Sequence, residues 1–415
     1  MRKPFIIFLI VLTFILTGCS LTVKQEPVST ADIINIARHP QPLVFNRGAL
    51  RSLPSYDSNS HESFTVDLRS FDLTSLNIKN RINDLMYADF DSKTIWPKDI
   101  PNSFNPEKIM ELGKNPGLGI KKLHKAGITG KGIGIAIIDQ ALLVEHVEYK
   151  DNLKLYEEIH CLYDTAQMHG PGVASIAVGK TVGIAPEADL YYIAETHGDY
   201  TSKGFNYDFT WVAKSIDRIL EVNETLSNDK KIRVISISVG WNKSNKGYDE
   251  VTIAVNRAKE QGVFVVSSSL LDTYGYMFNG LGRQPLNNPE NKMSYEPGLF
   301  WANVFYESGQ KYVTKFGVKE DQVLLIPMDS RTTASPTGNN DYVFYRIGGL
   351  SWSIPYIAGL YTLACQVKPN ITPDIFWTKA LQTGDTINVQ YNDREYEFKK
   401  IINPVKLIET IKSNK

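Results

Sequence analysis

A chain of 415 residues is long enough for one large domain or two modest ones. Basic and acidic residues are equal at 45 each, and 42% of the chain is hydrophobic, so the balance is that of a globular protein with a sizeable core. That balance gives no reason to expect nucleic acid or an acidic polymer as partner, and three cysteines are too few for a disulfide framework.

The chain opens on Arg2 and Lys3, then an apolar run from Phe5 to Leu16, then Leu16-Thr17-Gly18-Cys19. A charged start, a short apolar segment and small residues before a cut mark an export signal. The run is about a dozen residues, too short to span a bilayer comfortably. Its ending resembles a bacterial lipobox, which implies a signal peptide over 1–18 and lipidation of Cys19. A retained anchor helix or a plain secretory signal are the alternatives. The expected location is therefore the extracytoplasmic face of the cell membrane, held by lipid. Cys161 and Cys365 are then expected as two buried free thiols rather than a pair.

Residues 19–105 read as a tether followed by mixed elements. Alternation in Phe64-Thr65-Val66-Asp67-Leu68 suggests a strand, and a helix is expected around Lys79 to Tyr87. This stretch fits either a removable prosegment or an extension packed on the main domain. Pro97, Pro101, Pro106 and Asn115-Pro116-Gly117 mark the boundary, and residues 106–415 form the main domain.

From about residue 118, apolar runs alternate with amphipathic segments. Buried strands are expected at Gly132 to Ile138, Asp189 to Ala194, Ile232 to Val239 and Gly262 to Ser268. Helices are expected at Gly172 to Val178, Phe209 to Asn223 and Tyr248 to Gln261. Strands without polar alternation, separated by helices, predict an α/β fold with a mostly parallel sheet covered on both faces. In such sheets ligands bind at the carboxyl ends of the strands.

Three residues stand at such places. Asp139 follows the first strand directly, although aspartate also serves turns and caps there. His169 opens HGPGVASIAVG, whose small residues let a helix pack close to the sheet. Ser351 lies in IGGLSWSIPYIAG, where two glycines allow a sharp turn and the serine starts a helix with Pro355 in its first turn. Such a serine is usually a cap, but a helix start also presents backbone N–H groups to a developing negative charge.

Read in order, these segments resemble the subtilisin-like serine proteases (subtilases, peptidase S8). GKGIGIAIID looks like the family's strand ending in an aspartate. HGPGVASIAVGKTVGIAPEADLYYI is similar to HGTHVAG and the G-x-AP-x-A-x-L-Y that follows it. GGLSWSIPYIAG is similar to GTSMASPHVAG. VISISVGW resembles the substrate strand VINMSLGG, and AVNRAKEQGVFVVSSS the helix and strand before the oxyanion asparagine. The resemblance covers about residues 118 to 385, nearly two thirds of the chain. It implies a Ser-His-Asp triad of Asp139, His169 and Ser351, and an acyl-enzyme on Ser351. It further implies a peptide or protein substrate paired with Ser238, Val239 and Gly240 by strand addition.

The departures are specific. The family's second histidine is Gly172, and the threonine before the nucleophile is Leu350. Trp241 replaces a small residue beside the substrate strand and is expected to narrow a pocket. The oxyanion asparagine falls on Leu271, which donates nothing; Asp272, one residue on, or Asn279 in the next loop are the other candidates. No cofactor enters the chemistry this implies, and no acidic cluster spaced like a calcium loop indicates a structural metal. The expected function is an exported, membrane-tethered serine endopeptidase. The alternative is a binding lipoprotein of the same fold with little or no activity.

Overall fold

The computed structural model of the chain describes residues 34–58 and 64–413. The signal segment, Cys19 and the start of the tether lie outside the described residues. The N-terminal region supplies β1 (Asn35–Ile36), β2 (Val66–Asp67), α1 (Ile82–Leu85), β3 (Ala88–Asp91) and α2 (Pro106–Lys114). After α3 (Ile120–Lys125) come β4 (Gly134–Asp139), β5 (Leu153–Glu158), α4 (His169–Val178), β6 (Asp189–Ala194), β7 (Gly198–Thr201), β8 (Gly204–Tyr207), α5 (Thr210–Thr225), β9 (Ile232–Ile237), α6 (Tyr248–Glu260) and β10 (Phe264–Ser267). The remainder is α7 (Leu270–Tyr274), β11 (Met277–Arg283), β12 (Tyr295–Pro297), α8 (Ala302–Ser308), β13 (Val323–Pro327), β14 (Arg331–Ala334) and β15 (Tyr342–Tyr345). It ends with α9 (Leu350–Val367), α10 (Pro373–Thr383), β16 (Asp385–Tyr391), β17 (Arg394–Ile401) and α11 (Pro404–Ser413).

Six parallel strands make the central sheet, in the order β1-β5-β6-β4-β9-β10. Both faces are covered, which explains the missing polar alternation. On β4, Ile135 and Ile137 pack toward α4 and α9, while Ala136 and Ile138 pack toward α5 and α6. Burial of a side chain of this size contributes roughly 1.5–3 kcal/mol, so two apolar faces hold the strand firmly between the helix layers. This is the α/β architecture expected from the sequence. Strand β4 sits between β6 and β9, where the winding reverses, and the crevice at its carboxyl end is the natural site.

Three other sheets were not foreseen. Strands β12-β11-β13-β17-β16 form a five-stranded sheet, β7-β8 a hairpin, and β14-β15-β3-β2 a four-stranded sheet. In the last, β3 pairs antiparallel with β15, setting Asp91 opposite Val343 and Phe90 opposite Phe344. Phe90, Phe104 and Ile109 bury together with Phe344, and β1 extends the edge of the central sheet beside β5. The region before residue 106 is thus woven into two sheets. The expected helix at 79–87 is a single turn, α1. Cys161 and Cys365 are free thiols, but only Cys365 is buried; Cys161 is half-buried. No helix among the described residues is long and apolar enough to cross a membrane.

Candidate active site

Asp139 closes β4 and continues the Ile135–Ile137 face, so strand periodicity aims it at α4. There it meets His169, the first residue of α4. Imidazole Nδ1 lies 2.8 Å from Oδ1 and 2.9 Å from Oδ2, and since a carboxylate only accepts, Nδ1 carries the proton. Asp139 is fully buried and also accepts from the Gln140 amide at 2.8 Å. A buried carboxylate needs such partners. Gly170 permits the close approach: a Cβ there would lie 2.5 Å from the Gln140 carbonyl and 2.6 Å from the Tyr192 hydroxyl.

Ser351 is the second residue of α9, after Gly349 at φ 63°, a conformation glycine adopts without penalty. Its Oγ donates to the Ser238 carbonyl at 3.4 Å, and Ser238 Oγ donates back to the Ser351 carbonyl at 3.1 Å. Pro355 accounts for the second bond. It is the sixth residue of α9, deeper than the first turn expected. Lacking an N–H, it leaves the carbonyl four residues back, that of Ser351, free for Ser238. Trp352, next in the chain, is 3% exposed, and its ring centroid lies 5.4 Å from that of His169. The structure therefore gathers Asp139, His169 and the head of α9 at the carboxyl end of β4. Among the described residues no hydrogen bond joins Ser351 to His169.

The neighbouring candidates fare differently. Ser238 touches Ser351 directly. Val239 donates its N–H to Ile237 O at 2.8 Å and accepts from Ser268 N at 3.1 Å, while Gly240 is exposed. Trp241 does not narrow a pocket. It is 4% exposed, packs 5.7 Å from Phe209 in the layer under α5 and α6, and has its N–H and C=O bound by Ser269 Oγ. Leu271 sits half-buried in α7 and Asp272 beside it is exposed. Asn279 lies in β11; its Oδ1 accepts from the Gly280 amide at 2.9 Å and its Nδ2 donates to the Tyr312 hydroxyl. Among the described residues, none of these three bonds to Ser351.

A second histidine–carboxylate pair went unnoticed in the sequence. Glu195, just past β6, donates its amide to the Asp139 carbonyl at 2.8 Å, and its carboxylate binds His197 Nδ1. Burial alone lowers the pKa of His197; the charge and hydrogen bond of Glu195 outweigh it, and the net shift is upward. Close by, His160 Nε2 lies 3.0 Å from Asp199, and its ring stacks on Trp211. The Glu-Thr-His sequence after a strand was the only signal, and it reads as loop. Among the described residues no group of three or more His, Cys, Asp or Glu side chains is placed to hold a metal ion.

Behind the turn that leads to Ser351 lies a buried ionic cluster. Asp329 accepts from Gly348 N at 3.0 Å and Leu299 N at 2.9 Å, and Asp89 accepts from Arg346 N at 2.7 Å. The fully buried Arg346 donates to the carbonyls of Met86 and Arg283. Burial pushes Asp89 up to about 7 and Asp329 up to about 6, against the opposing pull of Arg346 and the backbone N–H groups. A carboxyl whose folded pKa exceeds its unfolded value, about 3.9, binds its proton more tightly when folded. Its stabilisation is full below pH 4 and is lost as pH rises through the folded pKa. The melting temperature should fall by several degrees between pH 5 and 8, and Asp89→Asn should shrink that fall; thermal melts of both proteins would show it. Equal slopes would contradict the assignment.

The arrangement defines a class: an α/β protein with a histidine–aspartate pair and a serine at the carboxyl ends of parallel strands. Comparison with known proteins narrows it. Residues 130–291 match the model of the subtilase family. That segment holds Asp139 and His169, while Ser351 lies beyond it. The chain is 27% identical over 261 residues to the minor extracellular protease Epr of Bacillus subtilis (strain 168), covering 60% of this chain and 34% of that protein. It is 23% identical over 281 residues to the subtilisin-like protease PopC of Myxococcus xanthus (strain DK1622), covering 61% and 56%. The chain thus spans about a third to a little over half of these relatives. The solved structure of the prenylagaramide maturation protease PagA is a distant likeness, with TM-score 0.47, 17% identity, and coverage of 72% of this chain and 99% of that one. The family match and the relatives support a subtilase identity.

Proposed function

We propose that the protein is an exported serine endopeptidase, tethered to the membrane by lipid on Cys19, that cleaves peptide bonds through Asp139, His169 and Ser351. The observation that carries the reading is the His169–Asp139 pair. With Nδ1 bound to the aspartate, Nε2 is the nitrogen left to take the proton from Ser351. Asp139 holds the tautomer and stabilises the imidazolium, Ser351 attacks the scissile carbonyl, and His169 returns the proton to the leaving amine. Ser351 must first turn its hydroxyl from Ser238 toward Nε2. Its bond to Ser238 is long at 3.4 Å, and catalytic hydrogen bonds commonly tighten only when substrate is bound. A fluorophosphonate probe tests the reading, since it labels only an activated serine. Covalent labelling of the purified protein is expected; a folded protein that takes no label and cleaves no peptide would favour the binding-lipoprotein reading, which Leu271 alone recommends.

The tether rests on the Leu16-Thr17-Gly18-Cys19 ending. Cys19→Ala should release the protein from the membrane or leave its signal segment uncut, and should abolish incorporation of a fatty-acid analogue. Equal incorporation in wild type and variant would remove Cys19 as the site.

A further inference from the structure

Gly172 has no conformational need to be glycine. It lies inside α4, where glycine is less stable than alanine. The reason is spatial. A Cβ at Gly172 would lie 2.8 Å from Trp352 Cη2, with Cζ3 at 3.3 Å and Cζ2 at 3.5 Å, and these three atoms of one indole are its nearest neighbours. On the far side, a Cβ at Gly348 would lie 2.3 Å from Trp352 Cδ1, although the Met328 carbonyl also crowds that position. Tyr345 closes a third side, with ring centroids 5.4 Å apart. His169 and Gly172 are three residues apart and share one face of α4, so the indole that fills the notch also lies against the imidazole at 5.4 Å and 35°. Trp352 Nε1 is buried with no partner among the described residues. The indole is therefore held here by its shape and not by a hydrogen bond.

We propose that Trp352 is a positioning residue for His169: seated in the notch left by Gly172, its indole holds the imidazole against Asp139 and ties α4 to the turn that carries Ser351. The inference rests on the peptidase reading for its kinetic consequence, but not for its structural one. Where the reacting groups are displaced by about an ångström, rates fall by roughly a hundredfold. Trp352→Ala should therefore lower kcat and the probe-labelling rate by about that factor, with little change in KM, in a protein that remains folded. Trp352→Phe keeps an aromatic ring beside His169 and loses an N–H that bonds nothing among the described residues, but it gives up part of the indole that fills the notch, so it should restore part of the rate. Gly172→Ala should slow the enzyme by forcing the indole aside, and the double variant Gly172→Ala, Trp352→Phe should be faster than Gly172→Ala alone, because the smaller ring clears the methyl.

If Trp352→Ala does not fold, the Gly172→Ala single and double variants decide. A folded Trp352→Ala at wild-type rate, or a Gly172→Ala defect that Trp352→Phe does not relieve, would make the indole mere packing. If wild type itself takes no label, the peptidase reading fails separately, and proton NMR decides this one. The His169 Nδ1 proton should be sharp in wild type and Trp352→Phe and broadened by exchange in Trp352→Ala; a signal equally sharp in all three would overturn the positioning role.

Discussion

A Ser351→Ala protein should fold like wild type and lose peptidase activity and probe labelling, a drop of roughly a million-fold in kcat if the serine acts as nucleophile. The change is structurally mild. Among the described residues the only bond Oγ makes is the 3.4 Å contact to Ser238 O, while the return bond from Ser238 Oγ uses the Ser351 main chain and survives. His169→Ala should cost as much activity, because members of such a unit act together. It is the less clean probe. It strips a fully buried Asp139 of its imidazole partner and, among the described residues, leaves it the Gln140 amide alone, so a stability loss accompanies the kinetic one. Peptide hydrolysis by a folded Ser351→Ala protein at the wild-type rate would show that another residue attacks.

Leu271→Asn should raise kcat by up to roughly a hundredfold with little change in KM. Negative charge gathers on the carbonyl oxygen only in the transition state, so a donor aimed there helps kcat alone. One such donor is worth about 3 to 4 kcal/mol, a value that comes from a subtilisin. If Leu271 stands at that position, as the resemblance implies, the side chain there is a half-buried leucine, while Asp272 is exposed and Asn279 is bound to Tyr312. The wild-type enzyme should therefore be slow, relying on backbone N–H groups at the head of α9. A fast wild type that Leu271→Asn slows would mean another group fills the place, and kcat for Asp272→Ala and Asn279→Ala would then find it.

The parallel sheet was legible because both of its faces are apolar: runs such as Gly134-Ile135-Ala136-Ile137-Ile138 admit no solvent-facing residue. Asp139 and His169 were legible as a polar residue at a strand end and a histidine opening a small-residue helix. The four-stranded sheet was not, because β2 and β3 are two and four residues long and β3 pairs with a strand some 250 positions away. Local pattern carries no trace of such a partner. Trp241 was misread for a related reason. Its neighbours in the chain suggested the cleft, but the space under Phe209 claims its indole. Gly172 departed from the family pattern with no visible reason in the sequence, and only its contact with the Trp352 indole supplies one.

The strand that β3 adds to β15 also bears on timing. Asp89 and Arg346 are 257 residues apart in sequence, and contacts so distant form late because the chain must first surrender the entropy of a very long loop. The turn before Ser351 is finished only when both ends of the polypeptide have been made and brought together. A chain made only as far as Asp139 and His169 thus holds the histidine–aspartate pair without the serine, and on the peptidase reading proposed above it has no assembled triad.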